Sequence, residues 1–315
     1  MSYELRHAEK PGESLQRICR KQVELALAVA RGEKETDDTP VHVTRKHLKK
    51  ARAALRLVEK EIGRGLFKRQ DHCLRDVGRL ISEVRDAEVR LQTVRQLQGL
   101  TQRQKHRKYS KLEEMLLLEL ENFVAAFAEW QMQAIPMLES MGDEIDAWPM
   151  DQYDYGQLCC AVQRSYKCGR DALAEAKARG TTEYFHKFRS AAKQLGYQLR
   201  ILRPINPVVL GNFENELGAI GDLLGRAHDL CFLGDRLCHE HGQLEQESHE
   251  LMAVIEASAS DLQRGAADLA ERFFAERPRD FGRRMGAWLD DWHNGKSPSL
   301  AEKLASEAGQ SAAVA

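Results

Sequence analysis

Histidine, arginine and lysine recur along residues 41–62 in a spacing that could hold an anion. His42, Arg45, Lys49, Arg52 and Arg56 follow one another at three- and four-residue steps, so they line one side of a helix. Leu48, Ala51, Leu55, Val58 and Ile62 step the same way. At about 100° per residue the two sets form separate stripes whose centres lie about 120° apart. The helix therefore has an apolar seam for a core and a basic ridge along one flank. No acid stands between Thr39 and Val58 to neutralise that ridge. An uncompensated ladder roughly 21 Å long suits a linear polyanion better than one small anion. Arginine forks onto phosphate oxygens, and lysine acts as a mobile point charge. His42, at a helix N-terminus among cations, is expected to stay neutral until an anion arrives, and then to donate a hydrogen bond to it.

The ladder occurs twice. His42, Arg45, Lys49 and Arg56 return with the same spacing as His186, Arg189, Lys193 and Arg200. The apolar positions Leu48, Ala51, Leu55 and Val58 return as Ala192, Leu195, Leu199 and Leu202, so seam and ridge keep their mutual orientation. Arg52 becomes Gly196, and Tyr197 joins the second ridge, which also lies in an acid-free stretch from Tyr184 to Phe213. The next helix repeats with a one-residue slip: Leu74, Val77, Leu80, Val84, Asp86 and Val89 match Leu217, Ile220, Leu223, Ala227, Asp229 and Phe232. A solvated face has no reason to repeat in register, so the duplication argues for a shared use of the two ridges.

The elements that must carry these ridges are helical. Proline is scarce (8 residues), and Ala, Leu, Glu, Arg, Lys and Gln dominate. Periodicity predicts helices over 13–31, 40–62, 71–98 and 101–133. Pro136, Gly142 and Pro149 then break the pattern, which places a boundary at about 136–152. A second set is predicted over 153–179, 181–203, 207–239 and 243–276. The expected architecture is all-α: two pseudo-symmetric antiparallel four-helix bundles from an internal repeat, about 10–135 and about 153–277. Residues 278–315 are expected to form a short helical extension with Trp288 and Trp292 packed inward, then a disordered tail over 309–315.

Composition narrows the partners. The 47 Lys and Arg nearly balance the 48 Asp and Glu, for a net charge of −1 over 315 residues. A globally basic nucleic-acid binder is therefore not indicated; any anion site must come from local segregation of charge. The seven cysteines are odd in number and form no CxxC pair, which reads as reduced thiols in the cytoplasm. No apolar run is long enough for a signal peptide or a membrane span.

The two copies, VHVTRKHLKKARAALRL (41–57) and FHKFRSAAKQLGYQLRIL (185–202), resemble the conserved histidine α-helical domain (CHAD) family, whose hallmark is a doubled His-x-x-Arg helix start with further basic residues. SYKCGRDAL (165–173) is similar to that family's Tyr-basic-x-x-Arg helix through Tyr166, Lys167 and Arg170. EVRDAEV (83–89) and GRAHDLCFL (225–233) resemble its aspartate-bearing stretches. The resemblance covers roughly residues 10–277. It implies two pseudo-symmetric helical bundles, binding of inorganic polyphosphate along a basic surface or channel, and association with polyphosphate granules. Many members carry a triphosphate-tunnel domain with Glu-x-Glu-x-Lys. That motif is missing here, so its hydrolase activity is not carried over.

The expected polyphosphate-binding residues are therefore His42, Arg45, Lys49, Arg52 and Arg56, with His186, Arg189, Lys193, Tyr197 and Arg200. Lys167 and Arg170 join them through the resemblance, and Arg17 and Lys21 by helix position alone. Neither a metal nor another cofactor is expected: the i+4 neighbours of the two histidines are Lys46 and Ser190, and cations repel a metal. Asp86 and Asp229 are lone carboxylates without a partner base or nucleophile, so a positioning role towards the ridge arginines is expected, and no enzyme. Two alternatives stay open on sequence. One is a metal-dependent phosphohydrolase acting on polyphosphate or nucleotides. The other is a nucleic-acid-binding helical protein, although Tyr197 alone supplies an aromatic on the ridges.

Overall fold

In a computed structural model, residues 3–34, 38–100, 110–124, 126–238 and 245–295 are described; every regular element among them is helical. The order is α1 (Pro11–Ala30), α2 (Pro40–Leu57), α3 (Arg64–Leu80), α4 (Ser82–Leu100), α5 (Ser110–Val124), α6 (Ala126–Asp146), α7 (Tyr155–Arg179), α8 (Thr182–Leu202), α9 (Pro207–Leu237), α10 (Glu245–Phe273) and α11 (Pro278–His293). In the first half α2 packs on α1 and α3, α6 on α1 and α3, and α4 on α5. In the second, α7 packs on α8, α8 on α9 and α9 on α10. The fold is all-α, and the repeat read in the sequence sets α2 against α8 and α3–α4 against α9.

Local sequence explains where the two ridge helices start. Thr39 Oγ1 accepts the amide N–H of His42 at 3.3 Å, and Pro40 opens the first turn of α2. Before α8, Asp154 and Gln157 form a reciprocal capping box on α7, and Gly180, at φ 66°, ends that helix in the left-handed region. The seam then fixes the rotation of each ridge helix. Leu48, Ala51, Leu55 and Val58 of the first copy are buried, as are Ala192, Leu195, Leu199 and Leu202 of the second. Each large aliphatic side chain contributes about 1.5–3 kcal/mol on burial.

The structure corrects two expected boundaries. The predicted helix over 71–98 begins earlier, at Arg64, and is broken at Ile81 into α3 and α4. There Ser82 Oγ donates to the Arg79 carbonyl at 2.8 Å, diverting an oxygen from the helical ladder. Gly225, the repeat counterpart of Ser82, has no such hydroxyl, and α9 runs on unbroken. The expected stop at Pro136 is also absent, because Pro136 lies inside α6. Trp130, Ala134, Leu138, Met141 and Ile145 are all buried on either side of it, and this packing outweighs the one missing N–H. The expectations for 101–109, 125, 239–244 and 296–315 lie outside the described residues.

Two buried clusters hold the halves together. The larger runs through both, from Leu15, Leu55, Trp130 and Leu138 to Tyr166, Leu195 and Phe281. The smaller joins Leu91, Val94 and Leu97 of α4 and Leu112 and Leu116 of α5 to Leu230, Leu233 and Leu237 of α9 and Leu251 and Ile255 of α10. The α11 residues Phe281, Met285 and Leu289 are buried, and Phe281 stacks on Tyr166 at 4.0 Å.

Candidate anion-binding site

The halves meet where α2 crosses α8. Gln198 Nε2 donates to the Ala53 carbonyl at 3.1 Å, with both residues buried. This contact sets the two ridges side by side. Arg45 and Lys49 of α2 lie close enough to Arg189 of α8 for each to feel its charge, and Lys49 also feels Lys193.

The helix after each ridge holds these long side chains flat. Arg45 Nη1 donates to the Gly78 carbonyl at 3.0 Å. Lys193 lies on Gly221, where a Cβ would come within 3.0 Å of its Cε, and Arg189 lies on Gly225, where a Cβ would come within 3.1 Å of Nη2. Gly78 and Gly221 occupy matching positions in the repeat. Small residues on α3 and α9 thus make the bed for the cations.

These charges are costly as they stand. Among the described residues Arg45, Lys49, Arg189 and Lys193 make no ion pair, and Arg189 Nε is buried with no hydrogen-bond partner. Burial, reinforced by Arg45, Arg189, Lys193 and Arg85, pulls the Lys49 ammonium down to about 7. Burial lowers Lys193 as well, helped by Arg189 and opposed by Asp222 and Asp229. Asp86 acts through space on Arg45, and Asp229 on Arg189. The matched aspartates thus act on the ridge arginines through space, without a contact to either.

Both histidines stand one turn before the ridge arginines and line neither of two cavities among the ridge cations. The His42 Nε2 is 3.5 Å from Asp38, and burial with Arg85 holds the ring below the usual imidazole value. His186 is lowered by burial and by His228, whose ring centroid lies 4.8 Å away. Beside the crossing, a cleft of about 500 Å³ is lined by Lys49, Arg52 and Arg56, by Arg189, Lys193 and Tyr197, and by Arg164 of α7 and Lys187 of α8. A smaller groove of about 190 Å³ is lined by Arg45, Lys49, Arg52, Arg75 and Arg79. Lys49 and Arg52 belong to both.

Other predicted residues are placed apart or already engaged. Arg52 pairs with Asp71 through two contacts of 2.8 and 3.2 Å, and Arg56 is 3.9 Å from Asp71 and from Glu59. Arg200 lies beside Tyr3, Lys50 and Glu214. Arg17 holds Glu9 at 2.8 Å, and Lys21 holds Glu24 at 3.0 Å in a shallow mixed-charge pocket on α1. Lys167 pairs with Asp171 on its own helix, and Arg170 donates to the Glu276 carbonyl at 3.3 Å. None of Arg17, Lys21, Lys167 or Arg170 lines the cleft. Arg75, Arg79, Arg85 and Lys187 are the cations that sequence reasoning left out of the site, and Arg164, a lesser candidate by helix position, proves to line the cleft. Of these, Arg85 was readable from its repeat match to His228. Among the described residues, no three His, Cys, Asp or Glu side chains gather as metal ligands would, and no helix is long and apolar enough to cross a membrane.

The chain belongs to the CHAD domain family, whose model matches residues 17–207 and 167–314. Its fold is similar to the CHAD domain from the plant Ricinus communis, with a TM-score of 0.66 and 16% identity over 88% of this chain and 96% of that one. It is also similar to PptA from Streptomyces chartreusis, with a TM-score of 0.60 and 14% identity over 85% of this chain and 100% of that one. At these identities the likeness speaks for the fold alone. No curated protein matches.

Proposed function

We propose that the chain binds inorganic polyphosphate in the cleft where α2 crosses α8, and leaves it chemically unchanged. One observation carries this reading: Arg45, Lys49, Arg189 and Lys193, from two halves of the chain, converge without an ion pair among the described residues. Cations held together at such cost gain most from a ligand with many closely spaced charges, whose binding also releases counterions. The aspartates nearest the ridges act on the ridge arginines, and the imidazole beside Asp229, His228 at 3.4 Å, is replaced by Arg85 at the matching place before Asp86, so the two halves share charge rather than an acid–base pair, which supports binding over turnover. The protein would then act in the cytoplasm, on polyphosphate granules.

Calorimetric titration with long-chain polyphosphate, short-chain polyphosphate and orthophosphate tests this. Affinity should rise with chain length and fall by about tenfold or more between 50 and 200 mM salt. Equal, weak binding of long polymer and orthophosphate refutes the reading. Orthophosphate release with Mg²⁺ or Mn²⁺ should stay at background, and release above background would instead favour a hydrolase.

A further inference from the structure

The internal repeat matches more than the ridges. Arg85 on α4 and His228 on α9 occupy corresponding positions, each just before a matched aspartate. Both reach the site. Arg85 pairs with Glu88 one turn along its own helix at 3.1 Å, and it acts on the charge of His42, Arg45, Lys49 and Arg189. His228 stands against His186, its Nδ1 3.4 Å from Asp229 and its ring parallel to Phe232. The set His42, Arg45, Lys49, Arg85 and Asp86 is thus mirrored by His186, Arg189, Lys193, His228 and Asp229. One change separates them: a permanent guanidinium in the first half is a titratable imidazole in the second.

The histidine pair is surrounded by charge from every neighbouring helix. Arg189 faces it from α8, Lys49 from α2, Asp229 from α9 and Asp86 from α4. Two protonated rings 4.8 Å apart beside Arg189 and Lys49 repel one another. A phosphoryl oxygen reaching both removes that repulsion and accepts a hydrogen bond from each.

We infer that Arg85 and His228 complete the anion site, and that the His186–His228 pair takes up protons when a phosphoryl polyanion binds. The second half then grips in proportion to acidity, whereas Arg85 keeps the first half's grip constant. This inference rests on the polyphosphate reading. The sign follows from the free state. His186 is held below the usual imidazole value, so it is neutral at pH 7 without ligand. A bound polyanion raises that value, so binding takes up a proton between the two values and tightens as pH falls. Lys49, at about 7 in the free protein, adds uptake above neutrality.

The test is calorimetric titration of the full chain with long polyphosphate, whose interior groups stay ionised, at about pH 6, 7 and 8 and fixed ionic strength. Buffers of contrasting ionisation heat report proton uptake. Affinity should be about tenfold higher at pH 6 than at pH 8, with net uptake at pH 7. His228→Arg should remove most of the pH dependence below neutrality, and Lys49→Arg only the part above it. His186→Gln, verified as folded by circular dichroism, should cut proton uptake in the same step as His228→Arg. A native pH slope in folded His228→Arg, or no buffer dependence in the native chain, overturns the inference while leaving polyphosphate binding intact. No binding at pH 6 in low salt overturns both.

Discussion

The two ridges are alike where they are bare and alike where they are stopped. In the first half, the last cations Arg52 and Arg56 are taken by Asp71 on α3. In the second, the counterpart of Asp71 is Glu214, which lies by Arg203 at 3.9 Å and feels Arg200. Between these acids and the helix starts, among the described residues, the ridge residues from His42 to Lys49 and from His186 to Lys193 touch no acid except at His42, which lies 3.5 Å from Asp38. Each such stretch is about 10 Å long, half the length that the ladder of cations first suggests. A long anion-binding path therefore comes from two short stretches placed together at a helix crossing, rather than from one extended helix face. The halves differ just before the matched aspartates, where one has Arg85 and the other His228.

The largest effect should come from cutting the path on both sides. Arg45→Ala and Arg189→Ala should each weaken polyphosphate about tenfold, and the double variant about a hundredfold, with one polymer bound throughout. If the halves bind separately, either single change will leave half the sites at native affinity, and calorimetric stoichiometry will show it. A smaller effect should come from lengthening the path. Asp71→Asn releases Arg52 and Arg56, so polyphosphate should bind about threefold tighter and with a steeper salt dependence. Unchanged affinity and slope would mean that those arginines stay outside the path.

The smallest effect is on stability and belongs to the first half only. His47 is buried against Gln22 at 2.9 Å, and its repeat counterpart is Ala191. Burial and the cations Lys50, Lys34 and Lys46 lower its ring to about 4. The unfolded chain, at the ordinary imidazole value of about 6.5, takes up the proton first as pH falls. Stability is therefore full above about 6.5 and lost on the way down to about 4. Thermal melts of His47→Gln should lose fewer degrees across that window than the native chain; an identical loss would assign the acid sensitivity elsewhere.

Much of this was legible in the residues. The seam and ridge of α2 follow from spacing alone, and duplication in register marked the second ridge. What was hidden depends on contacts between helices. Nothing near Arg52 in sequence announces Asp71, because the pairing crosses from α2 to α3. Arg164 enters the cleft because α7 packs beside α8, while Lys167 and Arg170, on the same helix, turn to Asp171 and Glu276 instead. The intact α6 rests on core packing around Pro136, which local propensity does not report, whereas the Ile81 break is accompanied by a local bond from Ser82 to the Arg79 carbonyl.

The crossing held by Gln198 and Ala53 has a bearing on what kind of polymer can lie across it. Repeat-matched cations meet there, Arg45 with Arg189 and Lys49 with Lys193, so each side offers a strand the same short ladder. A nucleic acid has a 5′ and a 3′ direction and would show each side a different face of its backbone. A chain of phosphoanhydride-linked phosphates reads identically both ways. Duplicated cations suit the proposed polyphosphate ligand, which has no polarity and on that reading would enter equally from either end.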